Sequence, residues 1–292
     1  MSGPRPARVW RRAIAAVCLL VAGCLEPGPD GSAKDVLIGA GDIASCQSLG
    51  DEETATRLDE IDGTVFTAGD NAYFHGSEQE YASCYAPTWG RHKWRTRPAV
   101  GNHEYETDGG APYYRYFGAA AGDSGKGYYS YEIGSWHIIV INSVIDVAPG
   151  SAQEQWLRAD LAAHPTLCTA AYWHYPLFSS GLYEETVIKP IWQALYEAGA
   201  DVVISGHDHL YERFAPQTPD GLADLERGIR QFTVGTGGYG HHRVGEVAAN
   251  SQVRNTDTYG LLKLTLLDGR YEWEFIPVHG GRFFDRGSYD CH

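Results

Sequence analysis

The chain has 292 residues, 43% of them hydrophobic and 35 of them glycine, with a formal net charge of −14 at pH 7. That length buries one large core or two small ones, and a single catalytic-size domain is the simplest organisation. The acidic balance excludes general binding to DNA, RNA or anionic lipid, so no nucleic acid is expected as a stable partner; a small phosphate ester stays open, because local cations or metals set the field inside a site.

Residues 1–23 carry Arg5, Arg8, Arg11 and Arg12 without an acid and end in the apolar run AIAAVCLLVAG. Eleven apolar residues are too few to span a bilayer as a helix, and the segment reads as a secretory signal peptide. Val21-Ala22-Gly23-Cys24 resembles a bacterial lipoprotein box, which would make Cys24 a lipid anchor; ordinary cleavage nearby is the alternative. Residues 24–35 lack an apolar pattern and read as a tether, leaving 36–292 as the domain. The expected location is the bacterial cell envelope, lipid-anchored, or otherwise periplasmic or secreted.

VLIGAGD (36–42) is an apolar strand ending in an acid, and DEETATRLDEI (51–61) follows with helical spacing. TVFTAGD (64–70) repeats the strand-then-acid pattern, and RPAVGNHE (97–104) ends a third strand on Asn102 and His103. Strands alternating with helices argue for β-α units on a largely parallel sheet. YYSYEIGSWHIIVINS (128–143), broken at Gly134-Ser135, reads as a hairpin. SAQEQWLRADLAAH (151–164) opens on a capping-box pattern, Ser151 and Glu154, and continues as an amphipathic helix. CTAAYWHYP is the next strand, followed by a helix around VIKPIWQALYEAG and the strand DVVISGH. The last third is β again, with RQFTVGTGG (230–238) and a pair of strands turning at Asp268-Gly269. These late strands suggest a second sheet packed on the first, hence an α/β fold in which a β-sheet sandwich is flanked by helices, four layers in the order α/β/β/α.

Cys46, Cys84, Cys168 and Cys291 follow the leader. An even number in an exported chain suggests two disulfides with three possible connectivities. Cys46–Cys84 would join loops after adjacent strands, and Cys168–Cys291 would tie down the polar tail DRGSYDCH; free buried thiols are the alternative.

Asp42, Asp70, Asn102 with His103, His174, and His207 with His209 all stand where an apolar run gives way to a polar loop. Carboxyl ends of strands converge on the ligand crevice in α/β sheets. Any one of these residues has a duller explanation as a turn or helix cap, but turn chemistry does not explain all of them in order. In an extended segment His207 and His209 point to one side, as two metal ligands would. Two carboxylates, an amide oxygen and three imidazoles without a thiolate favour Fe, Mn or Zn, and six or seven donors suit two ions sharing a bridge.

In order, GD (42), GDNAY (69–73), GNHE (101–104), WH (173–174) and GHDH (206–209) resemble the signature blocks of the calcineurin-like metallophosphoesterase superfamily over roughly residues 36–215. Many members carry D-x-H in the first block, whereas Asp42 is followed here by Ile43 and Ala44. The purple acid phosphatase branch also lacks that histidine and uses a tyrosine three residues after the second-block aspartate, where this chain has Tyr73. Tyr211-Glu212-Arg213 resembles that branch too.

The resemblance implies one ion on Asp42, Tyr73 and His209, a second on Asn102, His174 and His207, and Asp70 bridging. It implies Fe(III) at the Tyr73 position with Fe, Zn or Mn at the other, and a metal-dependent phosphoric ester hydrolase that attacks phosphate monoesters in line with a metal-bound hydroxide. His103 is similar to the family's catalytic histidine, and an extra N-terminal domain found in many such enzymes is not expected here. His241 and His242, after a glycine-rich strand end, and Arg91, in the basic cluster Arg91-His92-Lys93, are candidate substrate contacts. A phosphodiesterase or nucleotidase with the same centre, or a non-catalytic surface binding lipoprotein, are the alternatives. Nothing in the sequence specifies an oligomeric state.

Overall fold

The computed structural model describes residues 1–3 and 35–292. Apart from residues 1–3 and Asp35, the expected signal peptide (1–23), the lipid-anchor residue Cys24 and the tether (24–35) lie outside the described residues.

The first sheet holds β1 (Val36–Ala40), β2 (Thr64–Ala68) and β3 (Thr96–Ala99), which run parallel. The second holds β4 (Tyr129–Ile133), β5 (Trp136–Val140), β6 (Cys168–Tyr172), β7 (Val202–Ser205), β8 (Tyr211–Phe214), β9 (Arg230–Val234) and β10 (Ser251–Asn255) in the order β10-β8-β9-β7-β6-β5-β4. Strands β5, β6, β7 and β9 are its parallel centre. The chain then returns to the first sheet with β11 (Gly260–Leu267), β12 (Arg270–Pro277) and β13 (Arg286–Asp290), completing the order β13-β12-β11-β1-β2-β3. The helices are α1 (Gly50–Asp59), the short α2 (Glu78–Glu80) and α3 (Asn102–Tyr105), α4 (Ala111–Phe117), α5 (Ala152–Ala163) and α6 (Lys189–Glu197).

The central strands are apolar on both faces because both faces are covered. Ile138, Ala170, Tyr172, Val202 and Ile204 pack with Leu37, Ile38, Phe66 and Leu264 of the first sheet in the shared core. The alternate residues Ile139, Ala171 and Val203 pack instead with Leu157 of α5 and Ile191, Trp192 and Leu195 of α6. On the other side, Thr54 of α1 accepts a hydrogen bond from Trp89 Nε1 at 2.9 Å. The result is the expected sandwich of mixed sheets flanked by helices.

Several local expectations hold. The hairpin β4–β5 turns at Gly134 with φ +57°, and β11–β12 turns at Gly269 with φ +71°. The disulfides are Cys46–Cys84 and Cys168–Cys291. At the start of α5 only half the capping box forms: Ser151 Oγ accepts from Glu154 N at 3.2 Å, while Glu154 turns to Gly150 N and Arg158.

Two expectations need correction. The late strands β11–β13 do not build the second sheet; they extend the first, because β11 pairs antiparallel with β1 along Val36–Gly39. Nor is the C-terminal segment a loose tail held only by its disulfide. Its main chain pairs with β12 from Arg270↔Asp290 to Glu274↔Arg286 as an edge strand, and Tyr289 packs against the core.

Candidate metal centre

Gly-Asp at the end of β1 and again at the end of β2 bends each chain sharply. Asp42, Asp70 and His207 all take left-handed backbone conformations, with φ of +60°, +49° and +69°. Non-glycine residues pay strain for that geometry, and such strain concentrates at sites where it aims a side chain. The glycines before Asn102 and His207 leave room for close approach: a Cβ on Gly101 would lie 2.1 Å from Asp70 Oδ1, and one on Gly206 would lie 2.7 Å from Asp42 Oδ2.

The structure brings Asp42, Asp70, Tyr73, Asn102, His174, His207 and His209 together. The Tyr73 hydroxyl lies 2.8 Å from Asp42 Oδ1, 3.1 Å from Asp70 Oδ2 and 3.2 Å from His209 Nε2. On the other side of Asp70, His174 Nε2 lies 3.1 Å from Asp70 Oδ2, 3.0 Å from Asn102 Oδ1 and 3.1 Å from His207 Nδ1. Asp70 therefore stands between a group made of Asp42, Tyr73 and His209 and a group made of Asn102, His174 and His207. His174 Nδ1–H donates to the Ala68 carbonyl at 2.8 Å, which fixes the ring and leaves Nε2 facing the cluster.

Asp42 and Asp70 are 0% and 1% exposed. Among the described residues no lysine or arginine pairs with either; their ionic partners are His209 for Asp42, and His174 and His103 for Asp70. Burial raises the Asp70 carboxyl, but the charges and hydrogen bonds of His174 and His103 together outweigh it and hold the group below the usual carboxylate range. Burial lowers His174, but Asp70, Asp42 and the Ala68 carbonyl together hold the imidazole up at about 9; burial and the neighbouring His174 push His207 down to about 4. Burial, then Asp42 and Asp70, push the Tyr73 phenol well above its usual range. Oxygen and nitrogen donors crowd one another with no lysine or arginine of the described residues among them, so this donor set fits hard or borderline metal ions.

His103 sits on the rim. Its Nδ1–H donates to the Phe74 carbonyl and its Nε2 lies 3.7 Å from Asp70 Oδ2, while its main-chain N–H donates to Asp70 Oδ1 at 3.0 Å. His242 stacks on His209 with ring centres 3.9 Å apart, and His241 stacks on Tyr259 at 4.2 Å. Both line a recess of about 350 Å³ with Phe74, Tyr239 and Ser45 beside His209. Arg91 is not brought to the cluster. Its guanidinium binds Asp59 at 2.9 Å and Glu52 at 3.0 Å, two acids of α1, so the expectation of a substrate contact there is corrected.

Sequence reasoning missed three supporting residues. Glu104, buried in GNHE, accepts from the main-chain N–H of Gly101 (2.7 Å), Asn71 (2.8 Å) and Asp70 (3.1 Å), clamping the loops after β2 and β3 together. Burial, reinforced by the Asp70 charge, pushes its carboxyl up to about 7. Asp208, between the two histidines of GHDH, accepts from Leu182 N at 2.9 Å and Tyr183 N at 3.1 Å. Tyr239 lies flat on Tyr73 at 3.7 Å. Acids inside two of the motifs were the available signal for Glu104 and Asp208; no sequence signal marked Tyr239.

A family model described as calcineurin-like phosphoesterase matches residues 30–211. A relative in Arabidopsis thaliana, probable purple acid phosphatase 20, is 36% identical over 104 residues, 32% of this chain and 24% of the relative, so the match spans about a quarter of that protein's length. Among solved structures, purple acid phosphatase PPD1 from yellow lupin (Lupinus luteus) seeds superposes with a TM-score of 0.75 at 20% identity, over 88% of this chain and 53% of that one. GAP50, the anchor in the inner membrane complex of Plasmodium, has the same fold with a TM-score of 0.68 at 13% identity, over 88% and 89% of the two chains. With its family model matched over more than half its length and both sheets arranged as in these structures, the chain belongs to the calcineurin-like phosphoesterase family.

Proposed function

We propose that the chain is an exported dimetal phosphoesterase acting on phosphate monoesters. Asp42, Tyr73 and His209 would hold one ion, Asn102, His174 and His207 the other, and Asp70 would touch both. The observation that carries this reading is the convergence of five further oxygen and nitrogen donors on two buried carboxylates that no lysine or arginine among the described residues neutralises. A phenolate donor favours Fe(III) at the Tyr73 position, with Fe, Zn or Mn at the other. Two ions held there would supply Lewis acidity, neutralising phosphoryl charge and lowering the pKa of a shared water.

The protein's own groups do the rest. The Ala68 carbonyl keeps His174 Nε2 as the free donor, and Tyr239 pins the Tyr73 ring. With its Nδ1–H held by Phe74 O, His103 presents Nε2 toward the site, where it can give a proton to the leaving alkoxide. General acid catalysis of that kind contributes about 10²- to 10⁴-fold. The recess beside His209, His241 and His242 is open enough to take a leaving group or a second ester arm, which is what keeps the phosphodiesterase reading in play.

Two disulfides favour an oxidising compartment, supporting export, with lipid attachment at Cys24 as part of the proposal. Mass spectrometry of the mature chain tests this by finding, or failing to find, an acylated Cys24 at the new N-terminus.

The central test measures metal content, visible absorption and turnover of an aryl phosphate against a bis-aryl phosphate. Iron, a broad band that Tyr73→Phe abolishes, and preference for the monoester are the expected results. An active, colourless protein with two zinc or manganese ions would sink the Tyr73–iron assignment. Preference for the diester would replace the monoester reading, and a metal-free protein without turnover would point to a non-catalytic binding lipoprotein.

A further inference from the structure

Away from the rim, a second set of metal-binding side chains gathers where the β4–β5 hairpin meets α5. His137 on β5 is 1% exposed, and carboxylates engage both of its ring nitrogens: Nδ1 lies 2.6 Å from Glu132 Oε1 and Nε2 lies 2.8 Å from Asp160 Oδ2. Glu132 is the cross-strand partner of His137, and Asp160 comes from the last turn of α5. One turn further on, His164 caps that helix, brings Nδ1 to 3.4 Å from Asp160 Oδ1, and stacks its ring on His137 at 4.7 Å. Ser130 Oγ donates to Asp160 Oδ1 at 2.8 Å, orienting the carboxylate. One donor atom from each of His137, Asp160 and His164 lies within 4.8 Å of the other two.

This cluster is separate from the proposed dimetal centre. His137 pairs in register with Thr169 of β6, and His174 stands five residues beyond Thr169 on that chain. At the usual rise along a strand, that puts the two sites roughly 16 Å apart.

We propose that His137, Asp160 and His164 bind one borderline divalent cation of the Zn²⁺ class. Two imidazoles and one carboxylate favour such an ion over Ca²⁺ or Mg²⁺, which take all-oxygen shells. The ion takes the place of the proton between His137 Nε2 and Asp160 Oδ2, and that proton leaves to solvent. Glu132 accepts from His137 Nδ1–H, the carboxylate–histidine–metal arrangement that fixes a ligand ring. His164 now has Nδ1 2.9 Å from its own helix's Asp160 carbonyl; its side chain is 45% exposed and free to exchange that contact for the ion. Water fills the open side. Bound there, the ion ties the sheet-edge hairpin to the end of α5.

The test adds Zn²⁺ to the full chain after its other metal sites are filled, counts bound zinc by mass spectrometry, and follows the ¹⁵N resonances of the His137 and His164 rings. The expected result is one further zinc per chain, shifts of both rings, and at least ten-fold weaker binding of that ion in His164→Ala. Because His164 is partly exposed, that variant should fold as the parent does, which circular dichroism checks. No further zinc in the parent overturns the proposal, as does a further zinc that leaves both rings unshifted or binds equally well to His164→Ala. Neither readout depends on turnover, so failure of the phosphoesterase reading leaves this one standing.

Discussion

Asp285 and Asp70 are both buried carboxylates, yet the protein treats them in opposite ways. Asp285 receives Arg213 through two bonds of 2.7 and 3.2 Å, the Tyr211 hydroxyl at 2.8 Å and Trp273 Nε1 at 3.2 Å. Arg213 and Arg230 both lie over the Trp273 ring at 4.9 Å. Its charge is neutralised and its lone pairs are occupied, so it is architecture. Asp70 meets imidazoles, a phenol and the main-chain N–H of His103, and no guanidinium among the described residues. A buried acid with its own arginine holds the fold together; one surrounded by further donors is arranged for a cation that the chain does not supply.

Breaking each acid's partnership separates the two roles. Asp70→Asn removes the donor shared by both groups and should lower turnover by well over the about 100-fold that even a supporting residue of a metal site costs. Metal content should fall with it while the unfolding midpoint changes little; a variant that loses stability but keeps its metals would erase the distinction. Arg213→Ala should do the reverse. Leaving Asp285 buried and unpaired costs about 3 kcal/mol in denaturant unfolding, with metal content per folded chain unchanged.

Asp51, in the first turn of α1 and 3% exposed, is the intermediate case, with neither a guanidinium nor a ring of donors among the described residues. Burial pushes its carboxyl up to about 6, and bonds from Thr88 and the helix N–H groups only partly oppose that. The unfolded group ionises near 3.8. Between those values the folded state keeps a proton that the unfolded state has released, so stability falls as pH rises from about 4 to 6 and is flat above. Asp51→Asn should remove that fall, matching the parent below about pH 4 and exceeding it by about 1–2 kcal/mol at pH 7. Parallel unfolding curves at both pH values would show an equal offset instead if the effect were only packing.

Much of the site was legible in the sequence because its donors follow apolar strands. VLIGAGD, TVFTAGD and DVVISGH each announce a buried parallel strand and then a polar residue at its carboxyl end. The hairpin at 128–143 and the turn at Asp268-Gly269 were equally plain, since aromatic runs broken by glycine have few other uses. Strand β13 was not, because RGSYD carries no apolar alternation and is held by main-chain bonds to β12. Arg91 looked like a free cation in an acidic chain; only the packing of its segment against α1 revealed Glu52 and Asp59 as its partners. Tyr239 was silent for the same reason, since a tyrosine after a glycine run carries no mark of the ring it will cover.

By itself, then, the sequence determined which chemistry the chain carries: apolar runs set the strands, glycine before acid set the sharp turns, and the residue types at those turns set the donors. These are local properties, written in consecutive residues. The tertiary structure alone decided which donors meet. Asp42 and His207 are 165 residues apart and touch only because two sheets pack face to face. Likewise, whether a buried acid finds an arginine, an imidazole or no counter-charge depends on what the packed core carries to it, and that pairing is a property of the fold as a whole.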